Sequence, residues 1–135
     1  MKQLVFVILA LISLNTFSQK IEFEKNSVFV NDKEYVQITK TNDRTYEIWN
    51  LKNNKKILVI KTIKRFNDLK KEYVFLPKVT FVELNKTWNF ETKSLKNDFD
   101  IIQFIYNLKI VFPNGEVNKE MALNYYEYFK NLNKN

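Results

Sequence analysis

Residues 28–38 read VFVNDKEYVQI, and this stretch decides the class of fold that the sequence predicts. It holds two short runs with the residue types of strands, at 28–30 and 35–38. Asn31 and Asp32 lie between these runs, and such side chains tolerate turn conformations and bond to the nearby backbone. The stretch therefore predicts a β-hairpin of two antiparallel strands.

The same strand-and-turn pattern extends in both directions. Ile21 and Phe23 alternate with Glu22 and Glu24, which is the period of a half-buried strand. Further strands are predicted at residues 45–49, 57–60, 73–75, 79–84 and 88–91. The run at 57–60 is apolar on both faces, which indicates a central or doubly covered strand. Pro77 is expected to separate the two strands beside it, because proline cannot donate to a sheet ladder.

The last third of the chain has a helical period instead. Ser94 or Asn97 can cap a first helix, with Asp98 and Asp100 in its first turn. Its apolar face is predicted to hold Phe99, Ile102, Ile105 and Tyr106.

A second helix is predicted after the turn that contains Gly115, the single glycine of the chain. Asn118 caps it, and Val117 and Ala122 have the spacing of a hydrophobic staple. Its apolar stripe is predicted to hold Met121, Tyr125, Tyr128 and Leu132. Together the patterns predict an α+β fold, an antiparallel β-meander packed against a C-terminal pair of helices. A β-sandwich or small barrel with a helical tail is the alternative.

Residues 1–18 have the pattern of a secretory signal peptide. Lys2 precedes an apolar run of 11 residues, at 4–14, and a short polar segment ends at Ser18. The run is too short for a membrane-spanning helix, which needs about 20 apolar residues. Cleavage after Ser18 leaves one exported domain, residues 19–135. Because the chain has no cysteine, that domain can carry neither a lipid on a cysteine nor a disulfide, and this favours a bacterial exported protein.

Positive charge is concentrated in the middle of the chain. The whole sequence has a formal net charge of +7, and residues 52–71 contain eight basic residues against Asp68 alone. Such a segment attracts anions, although it is also typical of a solvated edge and loop. The basic residues offered as candidate binding residues are Lys52, Lys55, Lys56, Lys61, Lys64, Arg65, Lys70 and Lys71.

Trp49 is the other candidate binding residue. Strand alternation places it on the face opposite Tyr46 and Ile48. Burial beneath the C-terminal helices is the favoured interpretation, and an exposed anchor for a sugar or a partner is the alternative.

The composition argues against catalysis. The chain has no His and no Cys, which excludes Ser-His-Asp triads, Cys-His pairs and thiol redox sites. One glycine cannot build a phosphate-cradling loop. Carboxylate chemistry remains, with Glu22 and Glu24 or Asp98 and Asp100 as the pairs, but both pairs are typical of solvated or helix-start positions. No catalytic residue, cofactor or metal site is predicted.

In layout, the chain resembles small exported bacterial proteins of unknown function, with a signal, short strands and a helical end. The resemblance implies no site residues. The leading hypothesis is a non-enzymatic binding protein of the bacterial periplasm or exterior, whose partner is an anionic envelope component or another exported protein. The alternatives are an inhibitor or immunity-type protein for an exported enzyme, and a carboxylate-dependent hydrolase acting on envelope sugars. Nucleic acid is disfavoured because the basic segment lacks interleaved aromatic residues.

Overall fold

The computed structural model describes residues 19–42 and 44–132, so the predicted signal peptide lies outside the described residues. Within this part of the chain, seven strands form one antiparallel sheet in sequence order, followed by two helices. The α+β meander predicted from the sequence is confirmed. The strands are β1 (Ile21–Glu24), β2 (Ser27–Val30), β3 (Lys33–Asn42), β4 (Thr45–Trp49), β5 (Lys56–Asn67), β6 (Glu72–Phe81) and β7 (Lys86–Asn89); the helices are α1 (Asp98–Asn107) and α2 (Lys119–Leu132). Neither helix is long and apolar enough to cross a membrane.

The turn between β2 and β3 lies within the predicted turn at residues 31–34 but is shorter, because β3 begins at Lys33. Val30 pairs with Lys33, which leaves Asn31 and Asp32 as a two-residue loop. Their φ angles are 53° and 67°, and a two-residue turn with both angles positive suits the twist of the strands it joins.

Pro77 does not separate two strands, and that prediction is wrong. β6 runs without interruption through Pro77, which pairs with Thr62 of β5 in continuous register. The carbonyl of Pro77 accepts a hydrogen bond from the Phe90 amide, 3.4 Å away, just after β7 ends. In an antiparallel strand the N–H and C=O of one residue face the same neighbour. The missing N–H of Pro77 would therefore have pointed toward β7. The hydrogen bonds between β5 and β6 do not need it.

Both helices pack against one face of the sheet, which we call the inner face. Ile48, Leu58, Ile60 and Phe81 belong to that face and are all at most 1% exposed. They belong to one core cluster with Ile101, Ile102, Ile105, Ala122 and Tyr125 of the helices. The helices are amphipathic, and burial of their apolar side against the sheet stabilises them, since isolated helices of this length are marginal in water.

The helix starts are capped as the sequence predicts. Asn97 accepts a hydrogen bond through Oδ1 from the Asp100 amide at 2.9 Å, and Asn118 accepts one from the Met121 amide at 3.2 Å. Two predicted core positions are wrong: Phe99 is 40% exposed and Leu132 is 52% exposed. The buried face of α1 is centred on Ile101 and Ile105 instead, which turns Phe99 toward solvent.

The loop between the helices is fastened to the sheet by buried polar groups. A bulge in β3 opposite the Val28–Phe29 step buries Tyr35, whose hydroxyl donates to the Val111 carbonyl at 2.7 Å. Asn50, buried at the end of β4, donates through Nδ2 to the Gly115 carbonyl at 3.2 Å. Burial removes these backbone carbonyls from contact with water, and the two hydrogen bonds replace the lost contacts.

Gly115 lies so close to the sheet that only a residue without a Cβ fits. Its φ is +88°, and a Cβ built there would lie 2.5 Å from the Tyr35 carbonyl oxygen. The positive φ favours glycine because other residues rarely adopt it. The short distance requires glycine because the Tyr35 carbonyl belongs to the backbone and cannot move aside as a side chain can.

We expect Gly115→Ala to lower the free energy of unfolding by roughly 2 kcal/mol or more, because the strained backbone and the clash with Tyr35 add together. Urea denaturation followed by far-UV circular dichroism measures the change. Asn54→Gly, at an exposed turn residue with a φ of 55°, is the control and should alter stability by at most about 0.5 kcal/mol. Equal stability of Gly115→Ala and the parent protein would contradict the close packing of the loop.

Burial of tyrosine hydroxyls predicts a loss of stability at alkaline pH. Burial raises the pKa of Tyr125 to about 12, and its hydroxyl donates to the Leu108 carbonyl at 3.0 Å. An unfolded tyrosine loses its proton near pH 10. The stabilisation is therefore complete below about pH 10 and falls as the pH rises toward the folded pKa, by about 1.4 kcal/mol per pH unit.

Tyr125→Phe should lower stability at neutral pH by about 1 kcal/mol, since the Leu108 carbonyl loses its donor. The same variant should show a shallower decline in urea midpoint between pH 10 and 12 than the parent protein. A decline as steep as that of the parent would refute a role for this hydroxyl.

Candidate functional site

The basic segment is spread along the whole length of β5. Lys52 and Lys55 lie in the turn before this strand, and Lys70 and Lys71 lie in the turn after it. At about 3.3 Å per residue, the 12 residues of β5 cover roughly 36 Å. The candidate lysines therefore form separate groups at the two ends and in the middle of the strand.

Trp49 lies on the outer face of the sheet, the face away from the helices, and its predicted burial beneath them is wrong. It pairs with Gln37 and Lys56, while its neighbour Ile48 points into the core. The indole N–H donates to the Thr39 hydroxyl at 3.0 Å, and the Lys56 ammonium lies 5.5 Å from the ring centre. The helices cover the opposite face because that face carries the continuous apolar surface.

Near the start of β5, two lysines form ion pairs with glutamates. Lys56 forms an ion pair with Glu47 on the outer face. Nearby, Lys119 binds Glu83 at 2.9 Å, and this hydrogen bond lowers the pKa of the Glu83 carboxyl. Lys55 and both of these ion-paired lysines line an open groove of about 600 Å³ together with Glu83 and Glu116. Charges of both signs line this groove, so it has little preference for an anion.

The middle of β5 differs, because two lysines stand directly opposite one another on the outer face. Lys61 pairs in register with Lys78 of β6. Neither forms an ion pair within the part of the chain that the structure describes. Directly opposed side chains have Cβ atoms about 5 Å apart, and like charges there are destabilising. Thr45 and Asn89 flank the pair on the adjacent strands, so polar residues cross four strands in one row.

The far end of the β5–β6 hairpin combines positive charge with exposed apolar side chains. We call residues 61–78 the hairpin arm. Its exposed apolar side chains are Ile63 at 50%, Phe66 at 45%, Leu69 at 96% and Tyr73 at 59%. Phe66 and Tyr73 meet edge to face with ring centres 5.2 Å apart, and the Lys64 ammonium lies 4.5 Å from the Tyr73 ring centre.

The turn at the end of the arm is ordered by one side chain. Asn67 accepts hydrogen bonds through Oδ1 from the amides of Leu69 and Lys70, each at 3.0 Å. Arg65 and Lys70 share the single carboxylate of Glu91, at 3.6 and 3.8 Å. These contacts are long and exposed, so they neutralise the two cations only weakly.

The carboxylates considered for catalysis serve local structure. Glu22 binds the Lys20 ammonium at 3.1 Å, and Glu24 is exposed on the same edge strand. Asp98 accepts from the Phe99 amide at 2.9 Å, and Asp100 accepts from the Lys96 amide at 3.0 Å. Among the described residues, no group of three or more His, Cys, Asp or Glu could hold a metal ion.

Sequence reasoning missed part of the arm. Lys78 lies outside the basic segment, and only the register of β5 with β6 places it opposite Lys61. Nothing in the sequence around Leu69 and Tyr73 indicates that these side chains are exposed. Asn67-Asp68, just before Leu69, is nevertheless a recognisable turn signal.

The chain matches no family model, and neither a curated protein nor a solved structure matches it.

We expect Lys61→Glu to raise the free energy of unfolding by about 0.2–1 kcal/mol at low ionic strength, because it replaces a like-charge pair with an opposite-charge pair. Urea denaturation at low and high salt measures the change, which salt should reduce. Lys56→Glu is the matched control: it places a second carboxylate beside Glu47 and should destabilise the fold. A loss of stability in Lys61→Glu would contradict the opposed arrangement of Lys61 and Lys78.

Proposed function

We propose that this protein is an exported, non-enzymatic binding protein of the bacterial periplasm or exterior, and that the hairpin arm docks on an anionic component of the cell envelope. The signal pattern at residues 1–18 supports export. The opposed lysines Lys61 and Lys78 carry the rest of the proposal, since no described carboxylate forms an ion pair with either of them.

The energetic reason is that a like-charge pair is a cost to the free protein. A bound anionic group removes that cost and gains attraction from both ammonium groups. Arg65 is four residues beyond Lys61 and lies on the same face of β5, and Lys71 lies in the turn at the end of the arm. An extended anionic surface on that face therefore meets cations over several positions. Such binding depends strongly on ionic strength.

The two alternative functions receive less support from the geometry. An inhibitor anchored on Trp49 would use a side chain that already donates to Thr39 and lies beside Lys56. A hydrolase would need two carboxylates that face each other, whereas Asp98 and Asp100 accept bonds from backbone amides at a helix start.

The experiment compares binding of residues 19–135 to anionic vesicles and to polygalacturonate, at low and physiological ionic strength. The parent protein should bind at least one of these probes, and salt should weaken the binding. Lys61→Gln combined with Lys78→Gln should weaken it by roughly tenfold or more, given about 1 kcal/mol per basic residue near an anionic surface.

The control combines Lys33→Gln with Lys109→Gln, which removes the same charge from two exposed positions outside the arm. This variant should bind much as the parent protein does. Binding that ignores salt, or equal weakening of both double variants, would overturn the proposal that the arm is the anionic binding surface.

A further inference from the structure

We propose that the anionic component is a phospholipid bilayer, and that the end of the hairpin arm inserts its apolar side chains into the membrane interface. This inference rests on the proposed function, because the same lysines bring the arm to the surface. It adds an apolar contact that a purely electrostatic partner does not provide.

The first observation is the placement of Leu69. It is 96% exposed in the turn, and the Asn67 side chain holds that turn by accepting hydrogen bonds from the Leu69 and Lys70 amides. Because the turn is already ordered, little conformational entropy is lost when this exposed leucine binds a partner. Burial of the leucine in another apolar phase is favourable, whereas its exposure to water is not.

The second observation is the aromatic pair behind the turn. Phe66 and Tyr73 face each other across the hairpin, and both remain substantially exposed. Leu69 lies beyond Asn67, the last residue of β5, in the turn at the end of the arm, so the two rings are set back from it. Interfacial segments bury their apolar side about 5–10 Å into the boundary between headgroups and acyl chains, and aromatic rings favour the headgroup level. With the end of the arm inserted, Leu69 lies deepest and the two rings lie behind it at the headgroup level.

The third observation is the arrangement of charge around these apolar groups. Lys64, Lys70 and Lys71 lie beside the rings and the turn, where lipid phosphates would meet them. Three acidic residues share the region: Glu72 is bound to Lys93 at 2.7 Å, Glu91 is shared weakly by Arg65 and Lys70, and Asp68 is exposed in the turn. Cations exceed acids over the arm, so an anionic bilayer is favoured over a zwitterionic one.

A bilayer fits these features better than an anionic polysaccharide does. A hydrated polysaccharide offers phosphates or carboxylates to the lysines but no hydrocarbon to Leu69. Only a membrane uses the lysines and the apolar end of the arm together.

The absence of cysteine from the chain allows a direct test. Leu69→Cys is labelled with the environment-sensitive fluorophore NBD in residues 19–135. The protein is mixed with vesicles of phosphatidylglycerol and phosphatidylethanolamine in equal amounts, or with vesicles of phosphatidylcholine alone. We expect a blue shift and several-fold brighter emission with the anionic vesicles. Asn53→Cys, at an exposed turn before the other end of β5, is the matched control and should show no such change.

A second variant measures the apolar contribution without a label. Leu69→Gln should weaken sedimentation with anionic vesicles by roughly tenfold while leaving binding to polygalacturonate unchanged, because only the membrane buries this side chain. Vesicle binding without a change in NBD emission at Leu69, or binding to polygalacturonate alone, overturns the inference and leaves the proposed function standing. If neither probe binds in a salt-dependent manner, both proposals fail.

Discussion

The contact between the loop joining the helices and the sheet is the constraint on which the rest of the structure depends. Gly115 passes so close to the Tyr35 carbonyl that a Cβ would lie 2.5 Å from that oxygen. The Tyr35 hydroxyl and the Asn50 amide bind carbonyls of the same loop from buried positions. Because two helices of this length are marginal alone, this attachment fixes where their apolar sides meet the sheet.

Once the helices occupy the inner face, the opposed lysines of the outer face and the apolar end of the hairpin arm are left to solvent. The arm is the part of the sheet where β5 and β6 continue beyond the covered core, so its side chains are not used in packing the helices. Lys61 and Lys78 lie opposite one another on the outer face, and Leu69 is exposed to solvent in the turn. The features proposed to bind a partner are thus a consequence of where the helical layer ends.

Local features were predictable because short-range chemistry determines them. Asn31 and Asp32 form the turn within the predicted residues 31–34, and Asn97 caps its helix by a bond to the backbone three residues away. Pro77 and Trp49 were mispredicted because each depends on a neighbouring element. The effect of the proline depends on which strand its nitrogen faces, and the burial of the tryptophan depends on which face the helices cover.

The sequence by itself determined the α+β class, the order of strands before helices, the two capped helix starts and the concentration of positive charge. Alternation, turn residues and capping act over a few residues, so they are readable along the chain. Only the tertiary structure decided that the basic residues form separate groups along β5, that Lys78 lies opposite Lys61, and that Leu69 is exposed. Strand register and helix placement bring together residues distant in sequence, and the free energy of core packing sets both.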